Sequence, residues 1–127
     1  MIEITKIYEF EAAHRLPYHK GLCNHLHGHS YRLEVTVKGP VYNTKNNNGE
    51  KGMVMDFSNL KAMIKKIAPY DHVNLNDHFP NPTAETMVYY IAETMVHFLG
   101  EKYPEVKLTK VKLWETRTSY ATWRPAQ

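Results

Sequence analysis

The sequence predicts an α+β domain with helices on one face of an antiparallel sheet, in the order ββ(β)ααββ. Three observations predict it. Two N-terminal stretches alternate apolar and polar residues with period two, two central stretches carry apolar residues at helical spacing, and two alternating stretches close the chain. No repeat or linker-like stretch interrupts this order, so residues 1–127 read as a single domain.

The first strand runs from Ile2 to His14. Ile2, Ile4, Tyr8, Phe10 and Ala12 alternate with Glu3, Thr5, Glu9 and Glu11, while Lys6 and Ile7 break the pattern. His14 is in phase with the apolar side. Pro17, Gly21 and Asn24 mark a loop, and Ser30 to Gly39 alternates again, with Tyr31, Leu33, Val35 and Val37 on one side. Asn43 to Gly52 is an Asn-rich turn region, with a short strand expected after it over Met53 to Asp56. Ser58 reads as the N-cap of a helix whose Leu60, Met63, Ile64 and Ile67 share one face, ended by Pro69. Pro82-Thr83 opens a longer helix with a stripe of Met87, Val88, Ile91, Met95, Phe98 and Leu99, and Gly100 marks its end. Strands over Val106 to Thr116 and Ser119 to Arg124 complete the chain.

Composition narrows the function classes. Hydrophobic residues make up 43% and charged residues 23%, as in soluble globular proteins. No apolar run approaches the ~20 residues of a membrane span, and Met1-Ile2-Glu3-Ile4 lacks the basic start and apolar core of a signal peptide. A cytoplasmic protein that binds no membrane is the expectation. The net charge of +3 comes without a basic block, which argues against nucleic acid as a partner and suits a small anionic substrate. The single cysteine, Cys23, excludes an intrachain disulfide. Eight histidines is an unusual number for this length, and five of them fall between His14 and His29.

Within that cluster, His27-Gly28-His29 is the strongest signal. Side chains two apart on an extended segment point the same way, so both imidazoles can reach one ion, and Gly28 leaves room for close backbone approach. His14, on the inward side of the preceding strand, supplies a third. Three protein nitrogens and an open position form the usual arrangement of catalytic zinc. Cys23, four residues before His27, fits equally well as a fourth ligand, a buried small hydrophobe or a reactive thiol. Asp71-His72 and Asp77-His78 are two candidate acid–base pairs that nothing local separates. Glu115 is in phase with Val111 and Leu113, and an inward carboxylate needs a partner: an Arg, or a ligand with adjacent N–H donors. Thr83 and Glu85 are explained as an N-cap and a first-turn charge.

Taken together, six segments resemble the 6-pyruvoyl-tetrahydropterin synthase and 6-carboxy-tetrahydropterin synthase family. They are Phe10-Glu11-Ala12-Ala13-His14, Cys23-Asn24-His25-Leu26-His27-Gly28-His29, Met55-Asp56-Phe57, Asp71-His72-Val73-Asn74-Leu75-Asn76, Pro82-Thr83-Ala84-Glu85 and Glu115-Thr116-Arg117-Thr118-Ser119. They run in family order over nearly the whole chain, and Cys-x-x-x-His-Gly-His is the most specific of them. The resemblance implies a tunnelling fold: a four-stranded antiparallel sheet with two helices, assembled into a barrel-like homohexamer. It implies zinc held by His14, His27 and His29, Cys23 as the proton-abstracting thiolate, Asp71 and His72 as the acid–base pair, and Glu115 as anchor of the pterin's amino-pyrimidine edge.

The substrate implied is 7,8-dihydroneopterin triphosphate. Two outcomes then open: triphosphate loss to a pyruvoyl side chain, or carbon–carbon cleavage to 6-carboxy-tetrahydropterin and acetaldehyde. The compact length and the Glu-Thr-x-Thr-Ser element resemble the 6-carboxy branch, a zinc-dependent lyase of queuosine and 7-deazapurine synthesis. Lys20, Arg32 and Arg117 are candidates for the triphosphate by charge alone. Two other classes compete: a non-catalytic pterin or metal binder with a structural zinc closed by Cys23, and a sheet-edge interaction module with incidental histidines.

Overall fold

A computed structural model describes residues 1–41 and 50–126, so most of the Asn43 to Gly52 region lies outside the described residues. The elements are β1 (Ile2–His14), β2 (His27–Gly39), α1 (Phe57–Ile67), β3 (Val73–Asn74), α2 (Ala84–Lys102), β4 (Lys107–Thr116) and β5 (Ser119–Trp123). The sheet order is β3-β1-β2-β4-β5. Every pairing is antiparallel except β3 with β1, which is parallel. The α+β architecture is as expected, but the sheet has five strands and is mixed, not four-stranded and antiparallel. The added strand is two residues long, Val73–Asn74, too short for periodicity to reveal.

Period-two patterning selects the buried face. Phe10, Ala12 and His14 of β1, Tyr31, Leu33, Val35 and Val37 of β2, and Leu108, Val111 and Leu113 of β4 are buried, while their alternates face away. Leu108 and Val111 share this face although three residues apart. A bulge at Thr109, where the β2–β4 register slips, absorbs the extra residue. On the covered face, α2 packs against β4 and β5, and α1 packs against β1 and α2. The apolar stripes come out as the helical spacing predicts. Leu60, Met63, Ile64 and Ile67 of α1 and Met87, Val88, Ile91, Met95 and Leu99 of α2 are buried, and Phe98 is packed at the margin.

Local chemistry corrects three boundaries. The cap of α1 is Asp56, whose carboxylate accepts from the Ser58 N–H at 2.7 Å, so Ser58 lies inside the helix it was expected to cap. With Asp56 committed to that cap, Met53 to Asp56 forms no strand; Val54 and Met55 are simply buried. Gly100 does not end α2, which runs two residues further to Lys102. Thr83 does cap α2, accepting from Thr86 N–H at 3.1 Å. No helix of the described residues is long and apolar enough to cross a membrane.

Leu33 is fully buried at the centre of the sheet. Leu33→Ala is expected to lower the unfolding free energy by roughly 2–5 kcal/mol through lost burial and the cavity left behind. Urea denaturation checks this, and a loss under about 1 kcal/mol would mean the core is not packed as described.

Candidate metal centre

Strand register builds the centre. The β1–β2 pairing sets His14 opposite His27 and Ala12 opposite His29, so the three rings project from the helix-covered face. Gly28 takes the other face. It was expected to allow close approach, yet a Cβ there would lie 3.7 Å from the Ala12 carbonyl oxygen, an ordinary contact. The rings meet edge to face, their centroids 4.6 Å apart for His14 and His27, 4.9 Å for His14 and His29, and 4.8 Å for His27 and His29. One ligand-capable nitrogen from each lies within 4.8 Å of the others.

The outer nitrogens fix the protonation pattern. His14 Nδ1 is 3.0 Å from the Pro82 carbonyl oxygen, and His27 Nδ1 is 2.7 Å from the His25 carbonyl oxygen. A carbonyl only accepts, so each Nδ1 carries the proton and each Nε2 is left with a lone pair. The Tyr31 hydroxyl oxygen, 3.0 Å from His14 Nδ1, is a second acceptor for the same proton. The two Nε2 atoms nevertheless face each other at 3.1 Å. His29 Nε2 is buried without a hydrogen-bond partner among the described residues, with Glu115 Oε1 at 3.9 Å. Convergent lone pairs, held from behind by carbonyls, fit a bound cation, which would replace the repulsion with ligation.

Burial sets the charge state. Desolvation, reinforced by neighbouring His29 and His27, pulls His14 from an ordinary 6.5 down to about 4, against the Pro82 carbonyl. Burial also lowers His29, with the Glu115 carboxylate opposing. Both are thereby kept neutral, the form that binds metal.

Cys23 sits in a single 3₁₀ turn, Leu22–Asn24, half-buried, and its carbonyl accepts from Leu16 N–H at 2.8 Å. Its thiol is not among the converging ligand atoms, so the geometry forms a three-imidazole group rather than a four-ligand closed site.

The two Asp-His pairs now separate. Asp71 Oδ1 accepts from Glu11 N–H at 2.9 Å and lies 3.1 Å from His72 Nδ1, while His72 N–H donates to the Glu11 carbonyl. The Glu11 N–H, with His72 adding to it, holds Asp71 below the usual carboxylate range against a desolvation effect. This turn takes His72 to φ 60°, a left-handed conformation costing about 1–2 kcal/mol for a side chain with a Cβ. His72 borders an open cleft of about 510 Å³ with Glu11, Ser30 and Asn74. His78 instead packs edge-on against Tyr70 at 5.2 Å, and among the described residues no carboxylate pairs with it.

Glu115 occupies a second β-bulge. Trp114 pairs with Tyr120 and Thr116 with Ser119, which leaves Glu115 unmatched and re-aimed toward His29. Among the described residues no Arg or Lys lies within ion-pair distance of it. It lines a cleft of about 190 Å³ with Ala84, Glu85, Ser119 and Tyr120. Glu85 had been explained by its helix position alone; that it shares a cleft with Glu115 is visible only once α2 is docked on β4 and β5. Of the triphosphate candidates, Lys20 and Arg117 are exposed, and Arg32 faces away from the histidines, with its Nε 3.5 Å from Glu34.

Fold and site together define an α+β protein with three converging imidazoles able to hold a metal ion, beside carboxylate-lined clefts. The family described as 6-pyruvoyl tetrahydropterin synthase matches residues 3–126, and the chain belongs to that family. A relative from Haemophilus influenzae, named 6-carboxy-5,6,7,8-tetrahydropterin synthase, is 31% identical, with 98% of this chain and 99% of the relative covered. One of the same name from Synechocystis sp. is 40% identical over 94% and 91%. The structure of Caenorhabditis elegans 6-pyruvoyl tetrahydropterin synthase superposes with a TM-score of 0.76 at 26% identity, covering 98% of this chain and 96% of that one.

Two outcomes follow from the centre. In metal-free protein, a His14 value lowered from 6.5 to about 4 means that the unfolded chain takes up the proton first as pH falls. Stability is complete above pH 6.5 and declines toward pH 4 by on the order of 3 kcal/mol, readable in denaturant midpoints. A flat profile would contradict the buried neutral imidazole. His27→Ala should reduce divalent-metal affinity by at least about tenfold, since even the loss of an outer hydrogen-bond partner costs that much; competition with a chromogenic chelator measures it.

Proposed function

We propose that this protein is a zinc-dependent lyase, a 6-carboxy-5,6,7,8-tetrahydropterin synthase acting on 7,8-dihydroneopterin triphosphate. It works in this reading as a cytoplasmic homohexamer in queuosine and 7-deazapurine synthesis. The observation that carries it is the facing pair of unprotonated Nε2 atoms on His14 and His27, with Glu115 close by at His29. The relatives named for the 6-carboxy activity favour that branch over the pyruvoyl one.

A zinc ion held by His14, His27 and His29 would supply Lewis acidity toward the substrate's side-chain hydroxyls. The remaining roles belong to the chain itself. Glu115, with no cationic side chain against it among the described residues, accepts two N–H groups from the amino-pyrimidine edge and fixes the ring's orientation. Cys23, as thiolate, takes a proton from the substrate's side chain. Asp71 keeps the His72 ring oriented through the 3.1 Å contact at Nδ1, so that His72 Nε2 can pass a proton to or from a substrate oxygen.

Incubation with dihydroneopterin triphosphate tests the branch. Release of acetaldehyde with a 6-carboxy product is the expected result, and a pyruvoyl product would move the protein to the other branch of its family. Cys23→Ala should retain bound metal and lose turnover by about 10²–10⁴-fold, the range for removing a positioned proton carrier. Loss of metal together with turnover would instead make Cys23 a structural ligand. Glu115→Gln should lower kcat/KM by roughly 10–100-fold, because one charge-assisted acceptor is replaced by a donor.

A further inference from the structure

Asn76, at the end of the motif Asp71-His72-Val73-Asn74-Leu75-Asn76, has no part in the scheme above, yet both ends of its side-chain amide are hydrogen-bonded. The Asn76 side-chain carbonyl accepts from the Arg15 N–H at 2.8 Å, and its amide N–H₂ donates to the Arg15 carbonyl at 2.8 Å. A side-chain amide has the same donor and acceptor as a peptide group. Asn76 therefore extends the parallel pairing of Ala12 with Val73 and Ala13 with Asn74 past the end of β3, satisfying both backbone groups of the residue that follows His14. Asn76 is itself fixed, its N–H donating to Asn74 Oδ1 at 3.0 Å.

From Arg15 two further links lead to the thiol. Arg15 Nε donates to the carbonyl of Asn24, the residue after Cys23, at 2.9 Å. Leu16 N–H donates to the carbonyl of Cys23 itself at 2.8 Å. The loop between β1 and β2 is thus anchored at its first residue by Asn76 and closed across its width by Arg15 and Leu16. The same short segment that carries Asp71 and His72 carries the anchor.

We infer that Asn76 is a positioning residue for Cys23, coupling the thiol-bearing loop to the Asp71-His72 segment through Arg15. Its importance for turnover rests on the proposed role of Cys23 as proton acceptor, but the positioning itself does not. A residue that holds a reacting group within about 1 Å of its productive place can be worth on the order of 10² in rate without touching substrate.

Cys23 is the chain's only cysteine, so alkylation by iodoacetamide reads this loop alone. For the metal-loaded protein and for Asn76→Ala, the alkylation rate would be measured from pH 6 to 10, beside metal content, melting temperature, and kcat and KM with dihydroneopterin triphosphate. The expected result is an altered alkylation profile, with rates raised several-fold, metal content unchanged, and kcat reduced by about 10–100-fold at nearly constant KM. An alkylation profile identical to the unaltered protein's would overturn the inference, as would loss of metal in step with any change. Should Asn76→Ala fail to fold, Arg15→Gln decides. That side chain is exposed and its removal leaves the Asn76 bonds to the backbone, yet it cuts the link to Asn24. An unchanged profile there overturns the coupling. The two readings fail separately: a changed profile in a protein with no pterin turnover leaves the positioning intact and removes the proposed function. Turnover abolished by Cys23→Ala, with an unchanged Asn76→Ala profile, does the reverse.

Discussion

Two lone pairs pointed at each other across 3.1 Å are the interaction around which this site is arranged. Unrelieved, they would destabilise the very register that creates them. Neither imidazole can escape by moving its proton, because each Nδ1 is held by a backbone carbonyl, one from Pro82 and one from His25. Burial also keeps His14 well below its ordinary range, so that ring stays neutral at neutral pH. A cation between the rings would resolve the conflict, and the carbonyls already orient the rings that would bind it. The core packing of Phe10, Tyr31 and Leu33 thus fixes a β1–β2 register whose His14–His27 end is electrostatically incomplete on its own.

Around this centre the polar groups sort by what they lack. Asp71 is fully engaged, taking the Glu11 N–H and the His72 ring, which is why it lies below the usual carboxylate range. Glu115 is the opposite case, half-buried in a bulge beside the His29 ring, with no Arg or Lys among the described residues to pair with. Such a carboxylate is costly to keep unless something with N–H donors visits it. Tyr31, driven upward by burial and by the Glu115 charge, stays a neutral hydroxyl at all ordinary pH and serves His14 as a hydrogen-bond partner rather than as a base.

Much of this was legible in the sequence, for reasons that differ by element. Alternation revealed β1 and β2 because their inward faces are buried over Phe10 to His14 and Tyr31 to Val37, and that same phase puts His14 inward. The stripes of α1 and α2 were visible for the same reason at a different period. What escaped were features that depend on partners distant in sequence. The two-residue β3 exists because β1 offers it an edge, not because Val73-Asn74 favours extension. Asp56 outcompetes Ser58 as a cap by reaching over a Ser58 N–H that either reading would expose. The bulges at Thr109 and Glu115 leave no compositional trace, although the second one aims the carboxylate. Local spacing does not separate Asp71-His72 from Asp77-His78, and only the family resemblance favours the first, because the contact that distinguishes Asp71 comes from Glu11, sixty residues away.

The bond between His14 and the Pro82 carbonyl spans 68 residues. All three imidazoles lie within a single hairpin, and local pairing of that kind closes early and at modest entropic cost. The carbonyl that fixes the His14 tautomer arrives only when the start of α2 docks against the sheet. Without that docking the hairpin pairs its strands but lacks the contact that fixes the His14 tautomer. The His14 tautomer is thus a tertiary property, set by where the segment before α2 comes to rest and not by the hairpin that carries the ring.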